Sequence, residues 1–344
     1  MTDWQRTAIA LPASLAASWL LTGAMRQYAL KSKLMDTPNE RSSHTAPTPR
    51  GGGVAIVVAF LVALVAIWSC GTLETGLIVA ILGAGTLVAT LGFVDDRVGL
   101  SAGKRFIGHA VASFWVLAWM GNIPKIPIFG MQVELGFFGS ALSLLFAVWM
   151  INLFNFMDGI DGIAGVEAIT VSIGGGLLWY LTGPGTGWAA AFVFAACVAG
   201  FLAWNFPPAK IFMGDAGSGF LGVVIAALAL WCGHAAPSLF WSWFILIGCF
   251  MVDATTTLVR RVRRGERFSQ PHRTHAYQYA SRRHAGHGPV TLSVLGLNLL
   301  WLLPIATLVA FGVLDGVLGV TIAYAPLVWL AFRYKAGDRK HQEV

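Results

Sequence analysis

The chain is poor in charged residues. Asp, Glu, Lys and Arg together make up 11% of its 344 residues, whereas hydrophobic residues make up 56%. A soluble domain carries about 25% charged residues, so a soluble fold of this length is excluded. Apolar runs of about twenty residues recur along the chain, and each is long enough to cross a bilayer as a helix. The sequence therefore predicts an all-α polytopic membrane protein.

Cysteine is scarce as well. The four cysteines lie in or beside apolar stretches, without a C-x-x-C pair or a histidine at metal-ligand spacing. We interpret them as inert packing residues.

Two features that would divide or shorten the chain are also missing. The first apolar run has no basic segment before it and no clear small-residue cleavage site, so we expect a retained helix and not a signal peptide. No internal repeat or low-complexity linker interrupts the sequence, which predicts a single integral-membrane domain over residues 1–344.

Hydropathy predicts about eleven transmembrane helices. We expect them at residues 7–30, 52–70, 75–93, 106–121, 138–157, 162–182, 188–206, 217–234, 238–259, 290–313 and 317–332. The longest connecting loops are 31–51 and 260–289, and the second is rich in basic residues and histidine.

The basic residues indicate the orientation. Of the 23 Lys and Arg residues, 21 fall in one set of alternate loops, and only Arg6 and Lys125 fall in the other. Because basic residues in short loops stay in the cytoplasm, we expect a periplasmic N-terminus and a cytoplasmic C-terminus in a bacterial inner membrane. Membrane lipids are expected partners of this basic face, and nucleic acid is not.

Five aspartates cluster at the predicted cytoplasmic helix ends. They are Asp95, Asp96, Asp158, Asp161 and Asp215. A carboxylate near the membrane core is costly and needs a reason. Neighbouring carboxylates repel each other unless a cation lies between them, and Mg²⁺ is usually bound by one or two carboxylates together with substrate phosphates. The cluster therefore predicts a site for Mg²⁺, with Mn²⁺ as an alternative, although helix capping would explain any single acid.

Glycines flank these acids at Gly159, Gly162 and Gly165 and again at Gly214, Gly217 and Gly219. Backbone can approach a diphosphate closely at such positions, but close helix packing produces the same pattern.

The 260–289 loop contains His272, His275, His284 and His287. Zinc is not favoured, since no cysteine joins them and no H-E-x-x-H pair is present. A solvated basic loop is an adequate interpretation for His284 and His287.

Four ordered sequence blocks carry a resemblance. They are DTPNERSSHTAPTPRGGG at 36–53, GFVDDR at 92–97, NLFNFMDGIDGIAG at 152–165 and NFPPAKIFMGDAGSG at 205–219. With these blocks the chain resembles the polyprenyl-phosphate N-acetylhexosamine-1-phosphate transferases, and within them the branch that initiates O-antigen synthesis.

The resemblance implies a reaction. Undecaprenyl phosphate would attack the β-phosphorus of a UDP-activated N-acetylated sugar, giving polyprenyl-diphosphate-sugar and UMP with Mg²⁺ required. This is the first step of O-antigen or related surface polysaccharide synthesis. Acids that hold a metal and cations that face phosphates are the parts that phosphoryl transfer needs.

The resemblance also implies roles for individual residues. The catalytic set would be Asp95, Asp96, Asp158 and His275. Asp95 and Asp96 match paired family aspartates, to which we assign substrate or metal positioning, because a phosphate monoester is already ionised at neutral pH. Asp215 would bind the metal, with Asn155 as a second contact. Substrate binding would involve Arg50, Asn152, Gly159, Ile160, Asp161, Asn205, Phe212 and Arg273, with Phe212 stacked on the uracil.

One block departs from the family pattern. Many relatives carry H-x-H-H in the last large loop, whereas this chain has His275, Ala276, Tyr277 and Gln278. We hypothesise that Tyr277 and Gln278 contact a sugar substituent, while Arg273 and His275 bind phosphate.

Other classes are less compatible with the sequence. A transporter would use acids near the bilayer midplane, for which Glu167 is the main candidate. A CDP-alcohol phosphotransferase needs an Arg that DGIDGIAG lacks, and an intramembrane protease needs G-x-G-D where the chain has FMGD. The sugar stays open among GlcNAc, GalNAc, N-acetylfucosamine and N-acetylquinovosamine. The oligomeric state, a homodimer included, also stays open.

Overall fold

The computed structural model describes residues 1–38, 46–266, 272–284 and 286–338. The predicted cytoplasmic residues Arg41, Arg267, Arg339 and Lys340, and residues 39–45 of the first block, lie outside these ranges. The described chain is almost entirely helical. Its α-helices are α1 (Asp3–Lys31), α2 (Gly53–Ser69), α3 (Thr75–Val98), α4 (Ala102–Met120), α5 (Gly136–Met157), α6 (Ile163–Thr182), α7 (Trp188–Asn205), α8 (Asp215–Ala235), α9 (Pro237–Leu246), α10 (Gly248–Arg263), α11 (Ala276–Arg283), α12 (His287–Leu297), α13 (Leu303–Ala310) and α14 (Gly316–Arg333).

Every predicted transmembrane segment coincides with one or two of these helices. In the described ranges, eight helices are long and apolar enough to cross a membrane, and the bent pair α9 and α10 would be a ninth. The α12 and α13 helices form one of the eight through a π-helical turn, Asn298–Leu302. Helix α2 is apolar but shorter, and α4 is not among the eight. The count of eleven spans and the orientation therefore stay predictions.

The predicted span over 238–259 is not one straight helix, because the chain bends by 68° between α9 and α10. Gly248 begins the second helix, and a side chain there would press against the ring of Tyr324. The Tyr324 hydroxyl donates to the carbonyl of Phe244. In an unbroken helix this carbonyl would accept from the N–H of Gly248 instead. The bend is therefore stabilised by a side chain from α14.

Two further predictions need correction. The 260–289 loop contains the whole of α11 and the start of α12. The all-α class also omits two short antiparallel pairs: β1 (Met35–Asp36) with β2 (Thr48–Pro49), and β3 (Ile126–Ile128) with β4 (Met131–Val133).

Helix α8 lies at the centre of the bundle and is almost wholly buried. Its Phe220 ring meets the rings of Phe60 and Phe194 edge-on or tilted, which joins α2, α7 and α8 in one core. At its first turn, α8 touches α3 at Gly92, where a Cβ atom would overlap the Asp215 carbonyl group. This close approach places the carboxylates at the end of α3 against the start of α8.

Candidate active site

Asp96 caps the N-terminus of α8. Its carboxylate accepts hydrogen bonds from the backbone N–H groups of Asp215, at 3.1 Å, and Ala216, at 3.4 Å. Free N–H groups of a first turn carry partial positive charge, so this position favours an anion. The Asp96 side chain is only 1% exposed and also pairs with Arg50.

Arg50 reaches this position from the loop that follows β2. The N–H groups of Gly52 and Gly53 donate to the carbonyls of Phe212 and Met213, both at 2.9 Å. These backbone bonds fasten the loop beside the start of α8. The Arg50 guanidinium therefore lies 3.3 Å from the carboxylate of Asp215 as well.

A second arginine lies opposite. Arg105, near the start of α4, is 3.0 Å from Asp95 and 4.0 Å from Asp215. Asp95 also accepts a 2.5 Å hydrogen bond from the N–H of Leu100, which closes the turn between α3 and α4. Asp215 thus lies between Arg50 and Arg105 and keeps a quarter of its side chain exposed.

A cleft of about 360 Å³ opens beside these groups. The predicted site residues that line it are Asp95, Asn152, Asn155, Gly159, Asp215 and His275. The lining also includes polar groups to which the motifs assign no role, namely Arg105, His109 and His272. The cleft therefore joins residues from α3, α4, α5 and α8 with the loop before α11.

In the D-G-x-D-G turn, residues 158–162, Gly159 is the described residue that lines the cleft. Burial, reinforced by the charge of Asp215, raises the pKa of Asp158 well above its usual range. At Gly159, a Cβ atom would overlap the hydroxyl of Tyr277, so Gly159 and Tyr277 are in close contact at the cleft wall. Ile160 is buried instead, with 4% of its surface exposed.

Asp161 points away from this wall. Its carboxylate accepts a 2.9 Å hydrogen bond from the N–H of Ala209 and lies 3.1 Å from Nδ1 of His287. Its carbonyl accepts a bond from Thr291. The interpretation of His287 as part of a solvated loop is therefore wrong, because its ring packs against Asp161 in a largely buried position.

Three other predicted substrate-binding residues are not among the described residues that line the cleft. Asn205 is 3% exposed; its Oδ1 accepts from the N–H of Gly162 and its Nδ2 donates to the carbonyl of Ile211, both at 3.0 Å. Phe212 is half-buried, and its N–H donates to the Pro49 carbonyl. Arg273 is also half-buried, and its charge adds to burial in lowering the pKa of Arg282.

His275 lies at the cleft, where it is 3% exposed. Its Nδ1 is 3.3 Å from the carboxylate of Asp253, a residue of α10. Its ring stacks between Phe156 and Tyr277, with centroid separations of 6.4 and 5.6 Å.

An apolar groove of about 900 Å³ lies on the other side of Tyr277. It runs between α10, α12 and α14, and its lining includes Phe250, Val294, Leu297 and Leu330. Tyr277 lines both spaces, so the polar cleft and the groove meet at this side chain.

The donor set suits a hard cation. Asp215 offers a partly exposed carboxylate, and Asn155 lines the same cleft while its amide nitrogen donates to Ser218 at 3.2 Å, which leaves its oxygen available. Oxygen donors of this kind, completed by substrate phosphates and water, fit Mg²⁺ or Mn²⁺. In the described part of the chain, no three His, Cys, Asp or Glu side chains form a ready metal site.

Glu167 lies apart from this assembly. It is fully buried in α6 and accepts a 2.7 Å hydrogen bond from Nδ2 of Asn298 in the π-helical turn. It is not among the described residues that line the cleft.

The motifs do not point to Arg105 or Asp253. Arg105 lies four residues before His109, so both occupy one face of α4, and that spacing was the available signal. Asp253 is a carboxylate inside a predicted transmembrane segment, a placement that is costly unless the group is paired.

Comparison with known proteins identifies the family of the chain. A family model described as glycosyl transferase family 4 matches residues 78–233. A "probable undecaprenyl-phosphate N-acetylglucosaminyl 1-phosphate transferase" of Bacillus subtilis is 29% identical over 79% of this chain and 76% of the relative. A decaprenyl-phosphate N-acetylglucosaminephosphotransferase of Mycobacterium leprae is 30% identical over 86% of this chain and 80% of the relative.

A shorter part of the chain matches a third relative. A phospho-N-acetylmuramoyl-pentapeptide-transferase of Streptococcus pneumoniae is 31% identical over 63% of this chain and 68% of the relative. The chain therefore belongs to the polyprenyl-phosphate N-acetylhexosamine-1-phosphate transferases of glycosyl transferase family 4.

Proposed function

We propose that this membrane protein transfers an N-acetylated sugar-1-phosphate from a UDP-sugar to undecaprenyl phosphate. The phosphate oxygen of the lipid attacks the β-phosphorus of the UDP-sugar, the bond between the two phosphates breaks, and UMP leaves. The product is a polyprenyl-diphosphate-sugar. The named relatives act on undecaprenyl or decaprenyl phosphate, which supports the lipid acceptor.

The observation that carries the proposal is the junction of two unlike spaces at Tyr277. The polar cleft, with Arg50 and Arg105 beside it, suits the phosphates of a nucleotide sugar. The apolar groove suits a polyprenyl chain, because a long hydrocarbon gains free energy when it leaves water. A lipid seated in the groove would present its phosphate at the cleft.

Charge neutralisation is the main task of the protein in this chemistry. Arg50 and Arg105 would pair with phosphate oxygens as negative charge develops, which lowers the barrier in a partly desolvated site. Asp95 and Asp96 hold these two arginines in place, and Asp96 also accepts from the first turn of α8. We assign them a positioning role and not that of a base.

Asp215 and Asn155 would hold Mg²⁺, which neutralises phosphate charge when it is bound. The carboxylate of Asp215 already lies within 4.0 Å of both arginines. Mg²⁺ would replace an arginine as its partner when the arginine turns to the phosphates of the substrate.

Tyr277 and Gln278 are the residues that we propose to contact the sugar. Both line the cleft next to Gly159. Gln278 also accepts a 3.3 Å hydrogen bond from the N–H of His275 through its Oε1. Gln278→Ala should therefore change the relative rates with different UDP-sugars, and an equal loss with every donor would contradict this role.

We place the reaction at the cytoplasmic face of the bacterial inner membrane, as the first step of O-antigen or related polysaccharide synthesis. The basic residues of the predicted cytoplasmic loops support this orientation.

The proposal is tested by incubating purified protein with undecaprenyl phosphate, Mg²⁺ and a panel of UDP-sugars while UMP is measured. We expect UMP with at least one N-acetylated donor, none without the lipid and none with Asp215→Asn. Folded wild-type protein that releases no UMP with any donor would refute the transferase function.

A further inference from the structure

Asp253 occupies an unusual position for a carboxylate, inside α10 of the bent span and 7% exposed. Its oxygens are fully engaged. Oδ1 accepts from the N–H of Ala276 at 2.9 Å and from the hydroxyl of Thr257 at 3.2 Å. Oδ2 accepts from the N–H of Tyr277 at 2.9 Å. One side chain from α10 thus caps the first turn of α11.

Helix α11 depends on this cap more than a longer helix would. It has eight residues, and an isolated helix of that length is not stable in water. The first-turn N–H groups of Ala276 and Tyr277, which have no partner within a helix, donate to Asp253. Asp253, together with the capping box that His275 and Gln278 form, therefore fixes the start of α11 and the position of Tyr277 in it.

The same carboxylate holds the ring of His275. Nδ1 of His275 lies 3.3 Å from Asp253 Oδ1, and the His275 side chain also accepts from the N–H of Gln278, so these two contacts fix the orientation of the ring at the cleft. An aspartate behind a histidine orients the imidazole in this way in other active sites.

We infer that Asp253 is a positioning residue for the reaction: it caps α11 and orients His275, so that His275 and Tyr277 together face the cleft. The inference rests on the proposed function where turnover is measured. It does not need Asp253 to touch a substrate, since Asp253 is not among the described residues that line the cleft.

The kinetic test compares Asp253→Asn, His275→Ala and the double variant. The amide of Asn presents a donor where one N–H of α11 needs an acceptor, so we expect kcat to fall about 10²-fold with little change in KM. The double variant should lose clearly less than the product of the two single losses, because part of the effect of Asp253→Asn passes through His275. Rate losses that multiply would show independent roles and would overturn the inference.

Asp315→Asn is the matched control. Asp315 caps α14 with bonds from the N–H groups of Val317, at 2.9 Å, and Leu318, at 3.4 Å, far along the chain from the cleft residues. The substitution makes the same carboxylate-to-amide change at another helix cap, and we expect turnover to be unchanged.

A second measurement needs no activity. Hydrogen exchange of the segment 272–284 should be faster in Asp253→Asn, while exchange in α8 and α14 stays at the wild-type rate. Unchanged protection of 272–284, or faster exchange throughout the protein, would contradict a local positioning role. If wild-type protein is inactive with every donor, the proposed function fails, and the exchange result still decides the structural part of the inference.

Discussion

Arg105 donates a 3.0 Å hydrogen bond to Asp95, ten residues earlier in the chain. The bond links the start of α4 to the end of α3, and it holds the guanidinium at the edge of the cleft within 4.0 Å of Asp215. A phosphate that enters the cleft would therefore meet a cation that is already oriented.

Arg105→Gln should reduce kcat/KM by roughly 10²- to 10³-fold, because it removes a charged donor from the position where phosphate charge develops. Steady-state UMP release measures the effect. The neighbouring Lys104→Gln is the control, since Lys104 is exposed and is not among the described residues that line the cleft. Equal rates for the two variants would contradict a phosphate role for Arg105.

Gly159→Ala should impair turnover by about tenfold or more through the displacement of Tyr277. The added methyl group would overlap the Tyr277 hydroxyl, which donates a 3.0 Å hydrogen bond to the carbonyl of Phe156. Gly103→Ala is the matched control, because a Cβ atom there meets nothing within 4 Å. A Gly159→Ala enzyme with wild-type turnover would show that this contact is dispensable.

Asn205→Ala should lower the stability of the protein, whereas Asn152→Ala should change its kinetics. Asn205 joins Gly162 to Ile211, and its loss leaves two buried backbone groups unsatisfied at a cost of about 1–3 kcal/mol each, so we expect a lower melting temperature. Asn152 lines the cleft, and we expect its loss to change KM or kcat with little effect on melting. A raised KM for Asn205→Ala at an unchanged melting temperature would restore the substrate-binding role.

His272 should make the protein less stable in mild acid. Burial, together with the charges of His275 and Arg261, lowers the pKa of His272 from 6.5 to about 3. The unfolded chain therefore binds a proton as the pH falls through 6.5 while the folded protein does not, and stability is lost over this window. On going from about pH 7.5 to about pH 5, the melting temperature of His272→Gln should fall less than that of the wild type. An identical fall in melting temperature for the two proteins would contradict the lowered pKa of His272.

The positions of the helices could be predicted because hydropathy is a local property of the sequence. Apolar runs mark the long helices, although not α11, and the acids that end α3 and begin α8 already point to one site. The bend after Ile247 could not be predicted in the same way. It depends on the hydroxyl of Tyr324, which reaches the Phe244 carbonyl from a helix 80 residues away.

The motifs were also a partial guide to the site. They include residues that touch the cleft, such as Asn155 and Asp215, and residues that bind the surrounding backbone, such as Asp161 and Asn205. Sequence spacing does not separate these two groups, because both sit in the same short turns. The roles of Arg105 and Asp253 depend on contacts between helices, which no single motif contains.

The central claim is that a sugar-1-phosphate, and not a bare sugar, moves to the lipid. A UDP-sugar labelled with ³²P at the β-phosphorus tests it most directly, with undecaprenyl phosphate as the acceptor and a donor for which release of nucleotide has been observed. The account predicts that the label appears in the lipid fraction in step with unlabelled UMP. Label that remains in the nucleotide as UDP would contradict it.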